Sequence, residues 1–459
     1  MLAPLDALEH LLLQLAAHRD AVPWRGSGLC SLVLELPPEL AELADLPAGP
    51  GYLANAPSRH ETRIGAGSAR QWRLAGPDRL VRLRALAREL AADWYCLDPD
   101  DTGIRPAALV AFAHAPDDPM QAGWSGLPNT LLWLPAVAVH RTPRGAAVIF
   151  NLALPADHEA ALAAWTEGLR RLLATRPISP RAVARLRRGE RLPDGAAWER
   201  LLRDTLHAIR EGRFEKAVLA RRLRVRGERP FDGRRLHAAL AYLFPDCQTL
   251  LIRPGRHLFA AATPERLVCL RDGQARLDAL AGTCPRAARP DQDAALGRAL
   301  LASPKQRHEH ELVVHAIRER LAGMVQDLEI SSTPRLLRLS NVQHLWTPLR
   351  GRVAGDADLL SLAAALHPTP ATGGWPREPA LTWLRRHEPF QRGWYTGAAG
   401  WLDPHLDGEL WVLLRCALLS GDQAELYAGA GVTAGSEPAE EWRETESKLE
   451  GMLAALRYA

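Results

Sequence analysis

Lysine is almost missing from this chain. Of 57 basic residues only Lys216, Lys305 and Lys448 are lysine, and the other 54 are arginine. A GC-rich genome that swaps lysine for arginine accounts for the bias as a whole. The exceptions are informative because arginine cannot release its proton in a protein, whereas a desolvated lysine can work as a base. The three lysines are therefore candidates for chemistry, with chance survival at the surface as the alternative. Other absences narrow the class. No stretch of about 20 apolar residues occurs, so no membrane span is expected. The N-terminal run MLAPLDALEHLLLQLAAHRD is broken by Asp6, Glu9 and His10 and has no basic region ahead of it. It reads as an amphipathic helix rather than a signal peptide, and the expected location is the cytoplasm. The cysteines at 30, 96, 247, 269, 284 and 416 form no CxxC pair, which argues against a zinc site or a disulfide framework. The net charge of +4 is small and its signs are interleaved, so nucleic acid is not an expected partner. There is no internal repeat, no low-complexity segment and no P-loop.

What is present is an ordinary globular composition, 459 residues with 47% hydrophobic and 24% charged. Residues 1–174 mix strand-like and helix-like pieces, with one clear helix at His158–Leu173. A Pro/Arg-rich stretch over 175–195 reads as a junction or surface connection. From 196 onward a helix with Trp198, Leu201, Leu202, Leu206 and Ile209 on one face precedes short apolar strands at Glu215–Val225, Thr249–Arg253, Leu258–Thr263, Leu267–Arg271 and Arg276–Leu280. A helix follows at Lys305–Leu321. Leu410–Leu419 and Ala424–Val432 flank the turn Ser420-Gly421-Asp422-Gln423 as a hairpin, and a helix closes the chain from about Glu437 to Leu456. Short strands with inserted helices imply an α+β architecture with large antiparallel sheets.

Several charged residues sit where charge is costly. In the last helix, with Ser436 as its N-cap and Pro438 in its first turn, Glu441, Glu444 and Lys448 share an edge beside the apolar face of Trp442, Leu449, Met452, Leu453 and Leu456. Glu444 and Lys448 form either an ordinary i, i+4 surface pair worth about a few tenths of a kcal/mol or part of a site. Glu309 falls among Leu312, Val313, Ala316 and Ile317. It is either a first-turn carboxylate at an open end or a buried charge that needs a partner, for which a hard cation such as Mg²⁺ suits a carboxylate set without His or Cys. Arg415 is the single charge in the run Trp411–Leu419, read as a strand buried on both faces, and must meet an anion, internal or bound. Ala428-Gly429-Ala430-Gly431 lets another group approach the backbone. Lys216 opens a strand and faces either inward, as a desolvated base, or out to water. Glu265 follows Pro264 in a tight turn and is either a general acid or a turn carboxylate.

Taken in series, KAVLAR (216–221), ATPERLV (262–268), LAGT (280–283), RHEHELVV (307–314), VQHLWTP (342–348), HPTPATGG (367–374), LRCALL (414–419), YAGAGV (427–432) and EWRETESK (441–448) resemble the motifs of the chorismate-utilising enzymes. The resemblance covers 196–459 and leaves residues 1–174 as a variable part packed into the same fold. It implies a sandwich of large sheets with helices outside. It also implies Lys216 as the base that activates water and Glu265 as the acid that protonates the departing hydroxyl. Mg²⁺ is implied on Glu309 and Glu444, with Glu441 contributing directly or through water. Arg415 and the backbone at Gly429 are implied as a carboxylate clamp, and Gly282, Thr283, His344, Ala371 and Lys448 as further pocket residues. A lysine at 216 implies water rather than ammonia as nucleophile, so no glutamine amidotransferase subunit is expected. The implied reaction is the isomerase conversion of chorismate to isochorismate. The alternative, onward elimination to salicylate and pyruvate, goes with Thr where this chain has Ala371. Thr372 and Gln306 depart from the commoner pattern. A monomer or homodimer without nucleic-acid or membrane partners is expected.

Overall fold

The structure, a computed structural model, describes residues 4–173, 182–340 and 342–459. Among these, the strands assemble into two sheets, one of 13 strands and one of ten. Gly28–Glu35 runs parallel to Trp94–Leu97, while the pairs that surround the site are antiparallel. The architecture is α+β.

Strand alternation packs the two sheets face to face. In Gln248–Arg253, Leu250 and Ile252 point into the space between the sheets and Leu251 points to the opposite face. Phe259, Trp133, Trp394, Trp401 and Trp411 fill that interlayer, each large ring burying extensive apolar surface. The helices Pro4–His18, His158–Leu173, Gly233–Leu243 and Pro438–Leu456 cover the outer face of the larger sheet through Leu11, Trp165, Leu240 and Met452. Arg79–Ala92, Pro304–Leu321 and Leu359–Leu366 cover the smaller sheet through Leu83, Ile317 and Leu362. No helix among the described residues is long and apolar enough to cross a membrane.

Residues before 174 supply six strands to the larger sheet and three to the smaller. Gly51–Ala56 pairs with Gln248–Arg253, and Ala108–Phe112 with Ala398–Leu402, so both sheets are built from both parts of the chain. The stretch read as a connection over 175–195 differs in part. Its first residues, to 181, lie outside the described residues, but Leu186–Leu192 is an edge strand paired with Lys216–Gly227. Its many arginines suit an edge, where one face of the strand meets water.

The feature that positions the site is a double crossing between the sheets. Leu258–Thr263 pairs with Cys416–Ser420 in the larger sheet, and the adjoining Arg266–Arg271 pairs with Gly408–Val412 in the smaller. Two neighbouring chains thus pass together from one sheet to the other, at Pro264-Glu265 and at 413–415. Backbone bonds span the passage: Ala262 N donates to Arg415 O at 3.2 Å, and Val412 N donates to Glu265 O at 3.0 Å. The reading of Trp411–Leu419 as one strand is therefore corrected. It is two strands in two sheets, and Arg415 sits at the bend with φ 47°. A run that is apolar on both sides of a single charge reads as one strand, because both arms of the bend are buried. Glu265 does lie in the tight link between two apolar strands, and those strands belong to different sheets. The true hairpin is Cys416–Ser420 with Gln423–Val432, closed at Ser420↔Gln423. Ser436 does not cap the last helix. Glu437 holds the cap position without a side-chain bond, and the Ser436 hydroxyl instead accepts from Thr433 N at 3.1 Å.

Candidate active site

A cavity of about 1030 Å³, its open mouth included, lies beside the double crossing. Of the residues singled out from sequence, Lys216, Glu265, Gly282, Thr283, Glu309, His344, Ala371, Arg415, Gly429, Glu444 and Lys448 line it. Glu441 does not; it lies one turn before Glu444, buried behind the wall.

Lys216 is the first residue of its strand and is 1% exposed, so the inward orientation holds. Its Nζ lies 2.8 Å from Glu309 Oε1. The room for this pair comes from Gly431 on the neighbouring strand, where a Cβ would lie 2.6 Å from Glu309 Oε1 and 3.0 Å from Lys216 Cε. Glu309 projects from Pro304–Leu321, whose N-cap Ser303 accepts from Gln306 N. It is thus in the second turn of a capped helix and not at an open end.

Glu265 is 6% exposed, and its backbone N donates to Thr263 Oγ1 at 3.2 Å. Burial pushes its pKa up to about 8 against the pull of Lys216, with nearby Asp278 adding to the rise. The carboxyl therefore holds a proton at neutral pH and can donate it.

Arg415 has no carboxylate partner among the described residues. Its Nη1 meets only the Cys247 thiol, at 3.8 Å, and the guanidinium stands 5.3 Å from the Phe244 ring centroid. Burial pushes its pKa down. A desolvated cation without an internal anion is a built receptor for an external one.

The bulge between Ala281 and Thr283 turns the Gln274–Pro285 strand at Gly282, φ 79°. Gln306 Oε1 accepts from Thr283 N at 3.2 Å, and a Cβ on Gly282 would lie 2.9 Å from that oxygen. Thr283 sits opposite His344 in the ladder and bonds its Nδ1 at 3.0 Å. Desolvation, with help from Arg415 and Lys448, pushes His344 down to about 3, so the imidazole is neutral. Lys448 Nζ donates to Gly429 O at 2.9 Å and to Glu444 Oε1 at 2.6 Å, tying the last helix to the glycine strand. Thr372 lines the cavity, yet its hydroxyl is turned to Thr369, 3.3 Å from Thr369 O and 3.4 Å from Thr369 Oγ1.

The third lysine completes a pattern. Lys305 Nζ lies 3.4 Å from Glu441 Oε1. Each of the chain's lysines thus holds one of the three carboxylates read as metal ligands: Lys216 with Glu309, Lys305 with Glu441 and Lys448 with Glu444. Burial, then the like charge of Glu444, pushes Glu441 up to about 6, with Glu309 adding to the rise. An all-carboxylate set in which one member already resists ionisation fits a hard divalent cation. As the side chains stand, no three acidic, His or Cys groups among the described residues converge on one point.

The sequence reading did not single out Tyr395 and Thr396, which also line the cavity. The Tyr395 hydroxyl approaches Gly429 so closely that a Cβ there would lie 2.8 Å from it, and its ring stacks on Tyr427 at 5.5 Å. Thr396 has φ 60°. The only sequence signal for this segment is its glycine-bracketed Gly393-Trp394-Tyr395-Thr396-Gly397, which alone reads as a turn.

The family profile described as chorismate binding enzyme matches residues 27–457 of this chain. A salicylate biosynthesis isochorismate synthase of Pseudomonas aeruginosa is 39% identical over 387 residues, covering 83% of this chain and 80% of that protein. An isochorismate synthase of Bacillus subtilis is 31% identical, covering 77% of this chain and 75% of its own length. Among solved structures, the menaquinone-specific isochorismate synthase of Escherichia coli superposes with a TM-score of 0.81 at 28% identity, covering 98% of this chain and 100% of that one.

Proposed function

The chain belongs to the chorismate-binding enzymes, and on that premise we propose that it is an isomerase that converts chorismate to isochorismate with Lys216 and Glu265 as its base and acid. The observation that carries the reading is that a buried lysine and a glutamic acid with a pKa of about 8 line one cavity. Two groups of opposite proton function beside one small-molecule site is the arrangement such a step needs.

In this reading Lys216 acts in its neutral amine form, released from the ion pair with Glu309, and takes a proton from water as the water oxygen bonds to ring carbon 2. The double bonds shift, the bond from carbon 4 to its hydroxyl breaks, and Glu265 supplies the proton with which that group leaves as water. Atoms balance, since one water enters and one departs. Arg415 holds the enolpyruvyl carboxylate, and the backbone at Gly429, which lines the same cavity, shares that role. Gly282, Thr283, the neutral His344, Ala371 and Lys448 shape the remaining wall. Glu309 and Glu444, with Glu441 behind them, are the residues that would hold Mg²⁺, which when bound supplies positive charge for the ring carboxylate.

The second reading is onward elimination to salicylate and pyruvate. Ala371 at the cavity and the Thr372 hydroxyl turned to Thr369 favour the first. Incubation of the purified protein with chorismate and Mg²⁺, with the products resolved by chromatography, tests it. Isochorismate is the expected product. Salicylate and pyruvate in its place would transfer the assignment to the second reading.

A further inference from the structure

Arg392 lies outside the cavity lining, and the reaction above makes no use of it. It is 3% exposed. Its Nε donates to Glu388 Oε2 at 2.7 Å and its Nη2 pairs with Glu388 Oε1. The rest of the guanidinium reaches three separate segments. Nη2 donates to Val218 O at 2.5 Å, and Nη1 donates to Thr372 O at 2.7 Å and to Thr396 Oγ1 at 3.4 Å. Glu388 in turn accepts from Ala220 N at 3.1 Å, on the same strand as Val218.

These three segments are cavity wall, because Val218, Thr372 and Thr396 all line it. Lys216 stands two residues from Val218, and Ala371 precedes Thr372. Thr396 carries a β-branched side chain in the left-handed region at φ 60°, a conformation that persists only where the surroundings impose it. Its hydroxyl bonds His114 Nδ1 at 3.0 Å and its carbonyl oxygen lies 3.0 Å from His367 Nε2. Its N donates to Leu413 O at 2.9 Å, on the crossing that carries Arg415. A buried ion pair adds little to folding that well-packed apolar residues would not, so stability alone is a weak reason for this cluster.

We propose that Arg392, clamped by Glu388, is a positioning residue for the reaction above, on which this inference rests. One planar fork sets the spacing between the strand that begins at Lys216, the Ala371-Thr372 wall and the Tyr395-Thr396 turn. Lysine cannot replace it, because a single ammonium on a flexible stem does not span three acceptors in a fixed plane.

The test compares Arg392→Met, Arg392→Lys and Glu388→Gln with the wild type, measuring kcat and KM for chorismate, the folded fraction and the melting temperature. In Arg392→Met, kcat per folded molecule is expected to fall roughly 100-fold, as a displacement of about 1 Å at a reacting centre does. KM is expected to move much less, and Arg392→Lys to fall between the two. A residue that only held the fold together would lower the melting temperature and leave kcat per folded molecule unchanged. Wild-type kcat in Arg392→Lys and Glu388→Gln overturns the proposal even if Arg392→Met does not fold. A wild type that leaves chorismate unconverted counts against the reaction assignment instead.

Discussion

Lys216 Nζ lies 2.8 Å from Glu309 Oε1, so the lysine assigned as base and a glutamate assigned to the metal form one ion pair. The same relation recurs at Lys305–Glu441 and Lys448–Glu444. The chain keeps lysine at three places, and at each a compact ammonium faces a carboxylate from the candidate site. A lysine head can swing away on its stem when another cation takes the carboxylate, which an arginine fork bonded at several points does less readily.

Replacing the base tests its role directly. Lys216→Arg keeps the positive charge beside Glu309 but cannot accept a proton from water. Turnover is expected to fall by roughly 10² to 10⁴, the usual contribution of a general base. Chorismate affinity by calorimetry is expected to stay near that of the wild type. Unchanged turnover would remove Lys216 from the role.

Glu265 makes a pH prediction with a definite sign. Its carboxyl is protonated below about 8, so the proton-donating form is lost, and kcat falls, as pH rises through that value. Stability follows the same group. Between the ordinary 4.5 and about 8 the folded protein retains a proton that the unfolded chain releases, so stability declines as pH rises across that window. Glu265→Gln is expected to lose turnover and to flatten this part of the melting-temperature profile. A wild-type rate that climbs steadily from pH 7 to 9 would contradict the acid assignment.

Arg415 separates binding from folding. Among the described residues it has no carboxylate partner to strand, so Arg415→Met is expected to melt at or above the wild-type temperature. The kcat/KM for chorismate is expected to fall by roughly 100-fold, as loss of a charge-assisted bond of about 2–3 kcal/mol implies. A large loss of stability with kcat/KM preserved would mean that Arg415 serves the fold.

Gly431→Ala is expected to disturb the Lys216–Glu309 pair with little effect on the sheet. The added Cβ would lie 2.6 Å from Glu309 Oε1, a side-chain atom able to move. The expected signature is a roughly tenfold or greater fall in kcat with a melting temperature close to wild type. Wild-type kcat would show that the pair tolerates displacement.

Removal of divalent metal by a chelator is expected to abolish turnover, and Mg²⁺ to restore it. Glu441→Gln is expected to raise the Mg²⁺ concentration for half-maximal rate by roughly tenfold, the scale for a supporting ligand. Activity that survives exhaustive chelation would remove the metal from the reading.

The candidate site was legible where local chemistry is unusual. Glu309 and Arg415 are charges inside apolar runs, the glycines of AGAG interrupt a strand, and Lys216 stands out against an arginine background. Each oddity marks a residue without saying what it faces. Tyr395, Thr396 and Arg392 were missed because nothing in their neighbourhood is unusual. A tyrosine and a threonine in a glycine-bracketed turn, with an arginine just before it, are common, and the left-handed φ of Thr396 leaves no trace in composition.

Periodicity and turn residues determined the elements themselves, such as His158–Leu173 and Leu258–Thr263, because side-chain spacing follows from backbone geometry alone. The class of sheet and the charged residues worth attention were determined at the same level. Only the tertiary structure decided that Leu410–Leu419 divides between two sheets, that Glu265 and Arg415 ride the same crossing, and that Lys216 meets Glu309 and Lys305 meets Glu441. Those facts depend on which segments become neighbours across long stretches of sequence, and spacing along the chain does not encode that distance. The pKa of Glu265 follows from the same packing, because burial rather than any adjacent residue is what raises it.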